Sequence, residues 1–387
     1  MNPAGPVTLF LCGDVMTGRG IDQILGHPGN PVLYESSMRS AVGYVELAER
    51  VSGYIPRGVE FDYIWGDALP ELDRVRPHAR IINLETSVTV SDDAWPGKGI
   101  HYRMHPANAP CLSAARLDCC VLANNHIMDW GRAGLVETLE TLAHLGIRTA
   151  GAGRDAAQAA EPAIIALPGG RRLLVFAFGM PSSGVPLAWR ATDEGPGVNL
   201  VEDLSARSVE LIARQIADRR RAGDFVVVSL HWGPNWGYDI PSDERAFAHG
   251  LVDVAGADLV HGHSTHHVKG IEVYRGKPIL YGCGDFLNDY EGIAGYHEFR
   301  GDLTLMYFPS FEANDNKLSR FVMTPMCTRR FRVARPKPDE VAWLEGVLNR
   351  EGRRFGTAVR RQADGTLLLY QRMSGRPTAR AGLPRPD

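Results

Sequence analysis

A chain of 387 residues, 44% hydrophobic and 22% charged, has the composition of a soluble globular protein with room for a large core. Its formal net charge of −3 gives no general attraction to a phosphate backbone, so nucleic acid is not expected as a partner. No apolar run reaches the length of a membrane span, and the stretch 7–12 is too short and lacks the basic flank of a signal peptide. The expected setting is therefore cytoplasmic, without a membrane partner. Six cysteines show no C-x-x-C pair or disulfide framework and read as small hydrophobes in apolar strands.

In chain order, 7–12 reads as a buried strand that delivers Asp14, followed by the turn Gly18-Arg19-Gly20. Helical patterns over 41–50 and 68–75 precede a strand at 79–84, which delivers Glu85. A helical stretch over 108–117 leads to a strand at 119–123 and the polar tip Asn124-Asn125-His126. Leu135, Leu139 and Leu142 then recur at helical spacing before the stop signal Gly146. Strand, polar tip and helix, repeated three times, predict an α/β protein with buried strands.

Farther along, Gly169-Gly170 between two apolar runs predicts a hairpin, and 201–222 a long amphipathic helix. A strand at 225–230 delivers His231-Trp232-Gly233, and 247–255 is helical. A short apolar run ending at Val260 leads into His261-Gly262-His263-Ser264-Thr265-His266-His267, four histidines in seven residues. Arg275-Gly276 marks a second hairpin, with Gly284-Asp285 just beyond it. The pattern after 303–308 is strand-like, then helical over 341–350. Residues 1–327 read as one catalytic domain, 328–373 as an α/β extension packed on it, and 374–387 as a disordered tail rich in Pro, Arg and Gly.

Asp14, Glu85, Asn125-His126, His231 and the His263/His266 pair each follow a strand, where ligand sites of open α/β sheets collect. One such tip is an ordinary turn or cap. Five in order, all with metal-competent chemistry, point to a shared site. Imidazole is both a metal ligand and a proton-transfer group near neutral pH, so the histidines admit either use.

The ordered motifs Gly13-Asp14-Val15-Met16-Thr17-Gly18-Arg19, Asn83-Leu84-Glu85, Asn124-Asn125-His126-Ile127-Met128-Asp129-Trp130-Gly131, His231-Trp232-Gly233, Gly262-His263-Ser264-Thr265-His266 and Gly284-Asp285-Phe286 resemble the CapA-like poly-γ-glutamate capsule-synthesis family. That resemblance runs from about residue 7 to about residue 310. It implies a calcineurin-like αββα sandwich, two mixed sheets flanked by helices, with the site at the strand ends. By the same resemblance Asp14, Glu85, Asn125, His231 and His263 are metal ligands, and His126 is a general acid. Asp129 would orient His126, or simply begin the next helix. Two departures, Met16 and Thr265 where calcineurin-like phosphatases carry histidines, weaken a second metal position. One divalent ion is the expectation. The resemblance suggests calcium, whereas two imidazole ligands favour manganese, iron or zinc.

A single metal beside histidines suits a polarised carbonyl better than phosphoryl transfer. The family includes the lasso-peptide epimerase, and the leading expectation is a peptide epimerase that inverts a Cα centre by two-sided acid–base chemistry. His126, His266 and His297 are the proton-transfer candidates, with Asp285 and Asp129 as orienting carboxylates. The alternatives are a hydrolase of a peptide, poly-γ-glutamate or phosphoester bond, and a non-catalytic polymer-binding protein. Arg19 offers a bidentate grip on a substrate carboxylate, with a structural ion pair as the other reading. Trp232 and Trp236 offer aromatic surfaces to a peptide, with core packing as the alternative. A homo-oligomer is left open.

Overall fold

A computed structural model describes residues 5–293 and 295–372. The 374–387 tail named above lies outside them. Two mixed sheets face each other, with helices outside them. In the first, the parallel strands Val7–Val15, Ala79–Leu84, Cys119–Val121 and Arg148–Ala150 lie side by side. Antiparallel strands Leu303–Phe311 and Leu318–Thr328 continue that sheet beyond Val7–Val15. The second runs Ile271–Tyr274, Lys277–Leu280, Leu259–His263, Phe225–His231, Arg172–Gly179 and Ala163–Ala166, parallel at its centre and antiparallel at both edges.

Strand periodicity sorts the side chains of the second sheet. Leu173, Val175, Val227 and Leu259 point into the core between the sheets. Leu174, Phe176, Val226, Val228 and Val260 point outward, onto the helices Ala206–Ala217 and Ser242–Asp253. Each strand is hydrophobic on both faces because both faces are covered. Phe225 and Phe311 meet across the sandwich with ring centroids 4.5 Å apart.

Most expected elements are present, with shifted ends. The helix expected over 201–222 is confined to Ala206–Ala217, because Ser205 caps it by accepting from the Ser208 N–H. The stretch 108–117 forms only the short helix Pro110–Ala114 after a 3₁₀ turn. Both hairpins form, the second turning through Arg275 and Gly276 at positive φ. The segment after residue 327 continues the first sheet, since Val333–Ala334 and Leu367–Gln371 both pair with Leu318–Thr328. Thr357 Oγ1 also donates to the Ile271 carbonyl, 2.6 Å away in the second sheet.

One pairing decides the site. Asp285–Leu287 runs parallel to Val7–Val15 with Asp285 opposite Asp14. The approach is close enough that a Cβ on Gly13 would stand 1.5 Å from the Gly284 carbonyl oxygen, so only glycine fits there.

Candidate metal centre and acid–base site

All five strand tips converge at one end of the sandwich. Asp14 is buried, its Oδ1 accepting from Asn83 Nδ2 at 2.7 Å and its Oδ2 from the Ser264 N–H at 3.1 Å. Ser264 holds φ at +102°, a region that disfavours side chains, and this strained turn aims its N–H at Asp14. Asn83 in turn accepts from Asn124, whose Oδ1 takes the His126 N–H. Three strand tips are thus tied together by amides whose roles the sequence left unassigned.

His263 is oriented from behind. The His261 Nε2–H donates to the Cys12 carbonyl at 2.7 Å, leaving its Nδ1 to accept from Ser229 Oγ at 3.1 Å. Ser229 then accepts from His263 Nε2–H at 2.8 Å, which leaves a lone pair on His263 Nδ1, 3.6 Å from Asp14 Oδ1. His231 places Nδ1 2.8 Å from His263 Nδ1, and Nε2 2.9 Å from Asn125 Oδ1 and 3.7 Å from Glu85 Oε1. Burial and the neighbouring histidines lower the pKa of both rings, so both are neutral and ligand-competent.

Among the described residues, Asp14, His231 and His263 form one group with ligand atoms within 4.8 Å of one another. Asp14, Glu85 and Asp285 form a second group of the same kind. Burial and mutual repulsion raise the pKa values of Asp14 and Glu85. The buried Glu85 carboxylate has no hydrogen-bond donor among the described residues; its nearest cationic-type partners are His231, and His126 at 3.9 Å. Clustered, under-bonded carboxylates beside neutral imidazoles fit a divalent cation and are costly without one. Sequence reasoning gathered all five expected ligands but treated Asp285 only as an orienting group. The strand pairing places it among the carboxylates that could hold an ion.

Two histidine–aspartate pairs adjoin this cluster, one beyond the tip of Cys119–Val121 in the first sheet and one that joins the tip of Leu259–His263 in the second sheet to Asp285 in the first. His126 Nδ1 lies 2.6 Å from Asp129 Oδ2, which also accepts the Tyr102 N–H. Lys98, unmarked in the sequence, sets its ammonium 2.6 Å from Asp129 Oδ1 and 3.0 Å from His126 Nδ1. Burial, then Lys98 and Arg19, hold the His126 pKa well below the usual range, and burial pushes Asp129 up to about 6. His266 Nδ1 lies 2.9 Å from Asp285 Oδ1. Burial alone would lower the His266 pKa, yet the charge and hydrogen bond of Asp285, with Asp14, raise it.

The remaining candidates separate. Arg19 is buried and committed, pairing with both oxygens of Asp289 and with Glu35 at 2.9 Å, so its guanidinium has the structural ion-pair role rather than a free face for a substrate carboxylate. Trp232 is core packing: it is buried, stacks on Tyr281 and donates Nε1–H to the Tyr281 carbonyl. Trp236 is half-buried at the rim, stacked on Tyr296 at 4.4 Å and 5.2 Å from the His266 ring. His297 sits exposed on a 3₁₀ turn and makes no hydrogen bond to either pair among the described residues. The chain has bent it away from the buried cluster that His126 and His266 join. No helix among the described residues is long and apolar enough to cross a membrane.

The model of the bacterial capsule synthesis protein PGA_cap matches residues 8–290, the span that holds every group of the site. A "Probable polyglutamine synthesis accessory protein" of Mycobacterium tuberculosis is 46% identical over 93% of this chain and 95% of its own length. The "PGA biosynthesis protein CapA" of Bacillus subtilis is 26% identical over 85% of this chain and 73% of its own. The "Capsule biosynthesis protein CapA" of Bacillus anthracis is 25% identical over 73% of this chain and 60% of its own. The chain therefore belongs to the bacterial capsule synthesis protein PGA_cap family.

Proposed function

We propose that the protein is a metal-dependent acid–base enzyme that hydrolyses an amide bond in a glutamate-rich chain. The observation that carries this is the pair of histidine–aspartate dyads, at 2.6 and 2.9 Å, that adjoin one buried carboxylate cluster and whose imidazole pKa values are shifted in opposite directions. The substrate class is supported by the names of its relatives, which speak of polyglutamine synthesis and PGA biosynthesis. Asp14, His231 and His263 with Asn125 suit manganese, iron or zinc, and Asp14, Glu85 and Asp285 suit calcium or another hard cation. A bound divalent cation supplies polarisation of the scissile carbonyl and shielding of the charge that develops there.

The chain's own residues then divide the proton work. Neutral His126, its Nδ1 held by Asp129, accepts a proton from the attacking water at Nε2, the nitrogen that faces Glu85. His266, whose pKa burial lowers but Asp285 raises, takes up a proton at Nε2 and delivers it to the departing amine. The Asn235 amide Nδ2–H, which donates to that nitrogen at 2.9 Å, gives way when the proton is taken up.

The same two dyads favour a second reading, epimerisation, in which one removes a Cα proton and the other returns one on the opposite face. The likeness to the lasso-peptide epimerase belongs to this reading. Incubation of the manganese-loaded protein with poly-γ-glutamate in heavy water separates the two. New amino termini support hydrolysis, and deuterium at Cα of an intact chain supports epimerisation. Neither product from any polymer or peptide tried, with the polymer retained on the protein, would sink both enzymatic readings and leave an accessory binding role.

A further inference from the structure

Tyr102 and Tyr290 lie between the two dyads, and neither is marked by a sequence motif. The Tyr102 ring stacks on His126, centroids 3.7 Å apart and planes within 18°. Tyr290 meets His266 edge-on at 5.4 Å. Arg19 lies against both rings, its Cζ 4.7 and 5.7 Å from their centroids. The backbones are held as well. The Tyr102 N–H donates to Asp129, and the Tyr290 N–H donates to Asn288, which donates in turn to Asp285. The aromatic pair therefore spans from the carboxylate of one dyad to the carboxylate of the other.

The two phenol oxygens hydrogen-bond to each other, and neither has another partner among the described residues. Two hydroxyls carry two protons, and their mutual bond uses one. One O–H donor is left over, beside the dyads on one side and the Arg19–Asp289 ion pair on the other. The hydroxyl pair thus joins a ring stacked on His126 to a ring against His266, the two histidines to which the proton work is assigned. A preorganised donor at that position is what an oxyanion requires.

We propose that Tyr102 and Tyr290 form an oxyanion-binding pair whose spare hydroxyl proton is donated to a substrate oxygen. This deepens the acid–base reading and rests on it for the reaction, while the donor site itself is testable without turnover. The probe is inorganic phosphate, titrated calorimetrically into the manganese-loaded full chain. Tyr→Phe keeps each ring against its histidine and removes only the hydroxyl. The double variant Tyr102→Phe/Tyr290→Phe should bind phosphate at least ~10-fold more weakly, as expected for loss of a hydrogen bond to a charged acceptor. One single variant, the one whose hydroxyl faces the anion, should carry most of that loss, with manganese affinity unchanged in all three. The proposal is overturned if the wild type binds no phosphate, or if the double variant stays within about twofold of it. Should the double variant lose manganese, the single variants decide, and two singles within that same margin overturn it. Failure of the catalytic reading would appear instead as a wild type that neither cleaves nor exchanges, with the phosphate result standing.

Discussion

The His126–Asp129 and His266–Asp285 dyads use the same two side chains at similar separations, 2.6 and 2.9 Å, and both are buried. Their charges nevertheless diverge. At His126 the partner carboxylate is shared with the Lys98 ammonium, which offsets its field, and burial then keeps the ring neutral. Among the described residues no ammonium pairs with Asp285, whose second oxygen is bonded by the neutral amide of Asn288. Its charge and hydrogen bond raise the imidazole pKa against burial and Arg19. A histidine beside an aspartate is thus neither an acid nor a base by composition; the third group decides.

The harshest way to break the comparison is to remove what both dyads share. Asp14 belongs to both ligand groups, so Asp14→Asn should weaken manganese binding by more than ~100-fold and abolish turnover, read by calorimetry and product assay. Next, His126→Ala and His266→Ala should each lower turnover by ~10²–10⁴-fold with metal affinity largely kept. Equal manganese affinity with unchanged turnover in either variant would remove that histidine from the mechanism.

A smaller effect concerns stability. Burial and the charges of Asp14 and Asp285 raise the Glu85 pKa above its ordinary 4.5, so the folded metal-free protein holds a proton there that the unfolded chain has lost. Stability from this group is therefore lost as pH rises from about 4.5 through the raised value. Glu85→Gln should make the metal-free protein more stable at pH 8 by ~1–4 kcal/mol, with the gain vanishing near pH 4. Denaturant unfolding at the two pH values checks the sign.

The finest test sharpens the contrast itself, by ring-proton NMR titration of the metal-free protein. His266 should titrate above the ordinary histidine value, and Asp285→Asn should bring it down. His126 should stay neutral through the same range, and Lys98→Met should raise its pKa. If Lys98→Met left the His126 titration where it was, the ammonium would not be the group that separates the dyads.

The α/β class, most strands and the polar side chains that gather at the strand tips were legible in the sequence, because buried strands announce themselves as short apolar runs and their polar ends stand out against them. His263 and His231 were singled out in this way, whereas the bond of His261 to the Cys12 carbonyl appears only in the structure. Arg19 and Trp232 show the limit. Each has a residue type suited to substrate binding and a place next to a motif, yet Arg19 met Asp289, some 270 positions away in sequence, and Trp232 met Tyr281. Lys98, Tyr102 and Tyr290 left no signal at all, since they sit in irregular segments where periodicity says nothing.

By itself, the sequence determined which side chains stand at the ends of strands, because that depends on local hydrophobic patterning. Only the tertiary structure decided what those side chains face. Asp285 became a ligand candidate through one parallel pairing with Val7–Val15, and Lys98 reached His126 through an irregular loop folding over the strand ends. Charge state in a buried site depends on distances of a few ångströms between segments far apart in the chain, and sequence spacing does not carry those distances.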